Sequence, residues 1–417
     1  MSLSSRRALC ALILAIAPWA QGAELSLAEA ERLALERDPM VRALDARARA
    51  HEERAVAGAQ WPDPTLRVGA LSLPVDTFDF DQEPMTQLQL GVQQRFGRGD
   101  TLELEGEALR ERAAAERART GDRRLRTRRA VRESYAAVLQ QWRVADLLRR
   151  GLDEFALLGD VVEARFAAGR ALQADAVRVE VERLRMEDRL IAAREAGERA
   201  RAELARWIGG DATRPRPADW PTLGVAADLP VTPDAFRAHP LAAAFEAEVR
   251  SADRREAVAR EATRPQWALD LAYGLRSGED VMGRERPDFF SAMVMLDLPL
   301  FADDRQDRER AAAAYDYQAA MEVRNDALRE LYAGALDASA EWAHARQRLA
   351  VLEESTLPEA SAWQDAAAEA YGSGVGAFDD LVRATLAEVD LAIDRERMAA
   401  KAFRALARLH YYQGDDS

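Results

Sequence analysis

Cysteine is almost missing: the 417 residues hold one, Cys10. It lies in the apolar run Ala8 to Ala17, behind Arg6 and Arg7 and ahead of Ala20 and Gly22, which suit the −3 and −1 positions of a cleavage site. Residues 1–23 therefore read as a secretory signal, too short to cross a bilayer as a helix. Arg7-Ala8-Leu9 before the cysteine is not a lipid-attachment motif, so no acyl anchor is expected. The mature chain would carry no thiol, which excludes disulfides and thiolate metal sites and suits an oxidising compartment. Lysine is as scarce, with Lys401 alone, so the positive charge is arginine. No run of 18 apolar residues exists, which excludes a membrane-spanning helix; a membrane protein of this composition must be a barrel.

Other absences narrow the chemistry. His51, His239, His344 and His410 are scattered, with no pair at ligand spacing, and read as structural or solvated. Gly372-Ser373-Gly374-Val375-Gly376 follows a helical stretch instead of a strand, unlike a nucleotide loop. The acidic stretch Asp76, Asp79, Asp81 and Glu83 lacks the glycine of an EF-hand and reads as an exposed loop between strands. The net charge is −14, and loss of Arg6 and Arg7, with no acid before Glu24, takes it to about −16, which disfavours nucleic acid. Without a convergent polar cluster, neither an enzyme nor a cofactor is expected.

What is present is a duplication. Asp38-Pro39 answers His239-Pro240, and Pro64 answers Pro265, both at an offset of 201. The offset then becomes 205, matching Phe96 with Phe301, Gly169 with Gly374 and Asp175-Ala176-Val177-Arg178 with Asp380-Leu381-Val382-Arg383. The chain divides into a first repeat, 24–208, a proline-rich linker, 209–232, and a second repeat, 233–417. Each repeat opens with a helix, the first over about Leu27 to Ala59, with Ser26 and Glu29 as a capping box. Two alternating segments follow: Leu66 to Ala70 and Gln87 to Gln93 in one repeat, Trp267 to Arg276 and Phe290 to Leu298 in the other. A period of two over such lengths predicts strands with one apolar and one wet face, long enough to cross a membrane at a tilt. Met293 and Met295 share the wet face, where packing is favoured over soft-metal contact.

Long helices follow each strand pair. Thr101 to about Ala168 contains no proline, and Val131, Tyr135, Val138, Trp142, Ala145, Leu148, Leu152 and Phe155 form a seam stepping by threes and fours. Such a helix would be roughly 100 Å long. A returning helix is predicted from Leu172 to Ile208, and the pattern recurs from Gln306 to Tyr371 and from Phe378 to Tyr412. Four strands cannot close a barrel, and an open edge in lipid leaves backbone groups unpaired, so strands facing lipid require an oligomer. Two alternatives stay open: hairpins on a soluble core, and a soluble periplasmic coiled-coil adaptor or scaffold.

This order resembles the TolC-like outer-membrane efflux proteins over nearly the whole mature chain. The resemblance rests on Leu27-Ala28-Glu29-Ala30 leading to Asp38-Pro39, and on Leu298-Pro299-Leu300-Phe301. It rests most on Arg165-Phe166-Ala167-Ala168-Gly169 and Tyr371-Gly372-Ser373-Gly374, each followed by aspartate six residues after its last glycine. The resemblance implies a mainly α fold with a long antiparallel helical tunnel, and four strands per chain in a trimeric twelve-stranded barrel. It implies a homotrimer in outer-membrane lipid, with the helices in the periplasm, docked to a periplasmic adaptor and an inner-membrane pump, expected to be of the resistance-nodulation-division type. Pro62-Asp63-Pro64-Thr65-Leu66 is similar to the heavy-metal branch, so metal cations are the expected cargo, with drug export or type I secretion as alternatives. Gln94-Arg95-Phe96-Gly97 departs from the family in lacking a proline beside the phenylalanine.

By the same resemblance Asp175, Asp380 and Asp379 fall at the periplasmic constriction, and Tyr371 where some members carry a gating tyrosine. A carboxylate ring from three chains would concentrate cations and raise its own pKa by mutual repulsion. Helix capping is the competing role for Asp175 and Asp380. Gly376 stands where a basic partner is usual and Arg383 where a further acid is, so the gate is expected to be wired differently. Arg165, Gly169, Gly372, Gly374 and Gly376 are the expected adaptor-docking tips, the glycines supplying left-handed backbone for the reversals.

Overall fold

The computed structural model describes residues 24–224 and 232–414; the signal segment with Cys10, linker residues 225–231 and residues 415–417 lie outside the described residues. The elements follow in the order α1 (Leu27–Arg37), α2 (Pro39–Gly58), β1 (Thr65–Leu71), β2 (Gln87–Arg95), α3 (Thr101–Ala167), α4 (Gln173–Ile208), α5 (Pro240–Glu261), β3 (Gln266–Leu275), β4 (Phe289–Asp297), α6 (Gln306–Val351), α7 (Leu357–Ser373) and α8 (Phe378–Gln413). Two expected helices are each broken in two, and proline explains both. The residue before a proline is pushed to extended backbone, and Asp38 separates α1 from α2 with φ −64° and ψ 111°. Pro358 lacks the donor that helix continuation needs, and a five-residue π turn, Leu352–Thr356, precedes it between α6 and α7. The predicted capping box at Ser26 is half formed. Ser26 Oγ accepts the Glu29 N–H at 3.2 Å, while the Glu29 carboxylate turns to Arg214.

The four strands form one antiparallel sheet in chain order, so β2 joins β3 across the two repeats. The register puts Leu66, Val92, Leu271 and Ala292 in one row and Val68, Leu90, Tyr273 and Phe290 in the next, all on the same face. The large side chains of that face are exposed, Phe290 at 70% and Val68 at 67%. The opposite face carries small and polar residues, with Gln93, Asp270 and Met293 in one row and Arg67, Gly91, Ala272 and Ser291 in another. There Arg67 on β1 passes over Gly91 to pair with the buried Asp270 on β3. A side chain at Gly91 would approach Ala272 Cβ at 3.2 Å and crowd that crossing.

The chain packs as two units. Among the described residues, one comprises 24–34, Ser134–Thr222 and Glu359–Glu396, with a core of residues such as Leu148, Phe155, Met186, Val382 and Ile393. The other comprises Leu35–Glu133, 223–224, 232–358 and 397–414, and contains the sheet. In it, the duplicated helix starts use different chemistry at equivalent places. Asp38 accepts the Met40 N–H at 2.8 Å and also holds Arg123 and Thr127. His239 accepts the Leu241 N–H through Nδ1 at 3.1 Å and donates from Nε2 to the Tyr411 carbonyl at 2.8 Å. Both residues are buried.

Burial is the largest influence on His239 and holds its imidazole below the ordinary histidine value, against the Tyr411 carbonyl and nearby Asp122, which favour the cation. A folded histidine that resists protonation contributes stability fully above the unfolded pKa, about 6.5, and loses it as pH falls below that point. Thermal unfolding of the detergent-solubilised protein should therefore occur at lower temperature at pH 5 than at pH 7.5, the one group changing the unfolding free energy by at most about 1.4 kcal/mol per pH unit. His239→Asn keeps an acceptor for Leu241 and should flatten that dependence. An unchanged slope would show that His239 does not carry it.

Candidate functional site

The ends of the helical hairpins are built by the glycines that the duplication aligns. Gly169 and Gly374 sit at φ +72° and +84°, and beyond each a backbone N–H reaches back five residues, Arg170 to Arg165 O and Val375 to Ala370 O. This is the Schellman termination of α3 and α7. Gly372 and Gly376 do not take the expected left-handed backbone. Gly376 is needed for space, because a Cβ there would lie 2.8 Å from Ala370 Cβ.

Arg165 closes the turn from α3 onto α7. Its guanidinium donates to the Tyr371 carbonyl at 2.8 Å and stands 4.5 Å above the Tyr371 ring. A cation there complements the negative end of α7 and adds a second donor to a carbonyl that already accepts the Gly374 N–H at 3.1 Å. Tyr371 itself is buried, its ring 5.3 Å from that of Phe378, and its hydroxyl has no hydrogen-bond partner. Burial raises its pKa, with Asp175 adding to the rise and Arg165 opposing it. A groove of about 440 Å³ is lined by Tyr371 together with Leu157, Leu158, Val161, Ala368 and Glu154. Burial, reinforced by repulsion from Glu388, raises the Glu154 pKa.

The three aspartates are engaged in three ways. Asp175 accepts the Leu172 N–H at 3.0 Å and so caps the start of α4, the role that competed with a gate. Asp380 pairs with Arg383 at 2.5 Å. Asp379 lies between Arg178 of α4, at 2.6 Å, and Arg383, at 3.1 Å. The structure thus brings Arg165 to Tyr371 and Gly372, and joins Asp379 and Asp380 through Arg383, while Asp175 stays with its own helix start. Arg178 was missed as a partner. Its signal was the duplication itself, which aligns it with Arg383.

Asp175→Ala should cost the start of α4 about 1 kcal/mol, a roughly fivefold rise in amide hydrogen exchange around residues 172–177. Asp380→Ala removes no such bond and should leave that rise absent; equal effects would show that capping is not what distinguishes them.

No family model matches this sequence, and no curated protein does. Solved structures do. The outer membrane protein VceC from Vibrio cholerae is 18% identical with a TM-score of 0.77, over 93% of this chain and 96% of that one. The Campylobacter jejuni CmeC outer membrane channel is 13% identical with a TM-score of 0.77, over 93% and 85%. CusC, whose structures concern folding and transmembrane channel formation, is 13% identical with a TM-score of 0.78, over 94% and 93%. At such identities the likeness establishes the fold.

Proposed function

We propose, from the TolC-like fold that this chain has, that it is one subunit of an outer-membrane efflux channel with its helical part in the periplasm. The observation that carries this reading is the sheet. It is apolar and exposed on one face, polar on the other, and unpaired along β1 and β4 within one chain. Lipid contact suits the first face, a wet lumen the second, and neighbouring copies the edges. Three chains give twelve strands. Aromatic rings at one end of the strands fit a membrane interface: Phe96 stacks on Trp267 at 3.9 Å and meets Trp61 at 5.2 Å. A soluble scaffold offers no partner for so much exposed apolar surface.

In this reading the channel is passive, and energy comes from an inner-membrane pump of the resistance-nodulation-division type through a periplasmic adaptor. The hairpin ends, with Arg165, Gly169, Gly372, Gly374 and Gly376, meet that adaptor. Asp379, Asp380 and Tyr371 form the constriction, with Arg178 and Arg383 as the ties that hold it. Asp175 takes part by fixing the start of α4. Heavy-metal cations are the proposed cargo, on the likeness of Pro62-Asp63-Pro64-Thr65-Leu66 to the heavy-metal branch.

The test is fractionation and sizing, then conductance in a planar bilayer. A heat-dissociable trimer in the outer membrane is expected, with low conductance that rises severalfold in Arg178→Gln, Arg383→Gln. A soluble monomer would end the channel reading, and unchanged conductance in a trimeric variant would end the proposed tie.

A further inference from the structure

Trp142 belongs to the predicted apolar seam of α3, yet it is 48% exposed. It lines a cavity of about 320 Å³ between α3, α4 and the segment 213–216, all within one packing unit. Five guanidinium groups line this cavity against one carboxylate, Glu198. Arg214 and Arg149 have acids outside it, Glu29 and Asp146, and Arg201 pairs with Glu198. Arg194 and Arg216 have no ion pair among the described residues.

Arg216 is the more telling of these two. It donates to the Ala212 carbonyl at 2.8 Å and lies 5.7 Å from the Tyr135 ring, but its Nε is buried without an acceptor. The Nε of Arg201 is in the same condition. Burial, with repulsion from Arg201, lowers the Arg216 pKa, as happens where cations gather without counter-charge. Five arginines against one carboxylate leave this cavity short of negative charge, and a planar oxyanion is what guanidinium forks bind. The remaining wall is apolar, formed by Trp142, Leu139 and Ala145. The volume is at the small end for ligand sites, enough for about one ring and its acid group.

We infer that this cavity binds a small amphipathic organic anion, its acid group between Arg216, Arg201 and Arg194 and its apolar body against Trp142. The site lies in α3, α4 and the linker, away from the hairpin turns at Gly169 and Gly374, and it does not depend on whether the chain conducts.

Titration calorimetry on the full-length detergent-solubilised protein tests it, with phenylphosphate as the probe and benzyl alcohol and inorganic phosphate as controls. One saturable phenylphosphate per chain is expected, with both controls at least tenfold weaker. Arg194 is exposed and unpaired, so Arg194→Gln should fold normally and weaken binding about tenfold. Arg216→Gln should weaken it further, and Arg216→Lys should recover part. A Cβ at Gly197 would meet only Gln141 Cβ, at 3.6 Å, so Gly197→Leu can fill the cavity and should abolish binding. Absence of binding to the wild type, or equal binding in Arg194→Gln and Gly197→Leu, would overturn the site. Inorganic phosphate binding as tightly as phenylphosphate would overturn the amphipathic class.

Discussion

A sheet with an apolar face turned outward and two unpaired edges sets the terms for the rest of this chain. Unpaired strand edges cost little in water and several kcal/mol per group in hydrocarbon. Four strands are too few to bend the edges together, because closure needs about eight. The polar face is also held as though it were an interior: Asp270 is buried there beneath Arg67, while the leucines and valines opposite stand free. The pairing of β2 with β3 is what makes this surface continuous. It joins the repeats into one sheet, so that only β1 and β4 are left as edges.

The long helices follow from the same duplication, but equivalence of position has not meant equivalence of chemistry. A carboxylate caps α2 and an imidazole caps α5, because each start requires one acceptor and either group supplies it. Their neighbourhoods then diverge. Asp38 is drawn into bonds with Arg123 and Thr127 that outweigh the burial opposing its charge, so its pKa is lowered. Burial holds the His239 imidazole below the ordinary histidine value. At the hairpin ends the two glycines reproduce one turn, after which Asp175 caps its helix and Asp380 reaches Arg383.

Much of this was legible in the residues. The strands lie within two residues of the alternating segments, because a period of two with one lipid-like face leaves no freedom of register. The ends of α3 and α7 were marked by Gly169 and Gly374. The breaks at Asp38-Pro39 and before Pro358 were less legible, since a helical seam can continue across a proline when the pieces pack on common neighbours. Trp142 shows the limit of periodicity: the seam gives the face of α3, and only the packing of α4 and the segment 213–216 makes that residue part of a cavity wall. The burial of Tyr371 was equally out of reach, because it depends on Phe378 and Arg165 arriving from other elements.

That almost all the positive charge is arginine has consequences where the helices meet. A guanidinium is always charged, and its fork can serve several acceptors at once. Arg383 uses this to hold Asp379 and Asp380 together, while Arg178 reaches Asp379 from α4. Lysine in either place would offer a point charge with no fixed plane. Exposed single pairs of this kind contribute little to stability, on the order of 1 kcal/mol or less, but they are sensitive to salt and to a competing charge. An interaction that is weak alone and shared between two helices can be undone without unfolding either one. The constriction proposed at Asp379 and Asp380 would require that combination, and the pair of Arg123 with the buried Asp38, which ties α3 to the start of α2, does not have it.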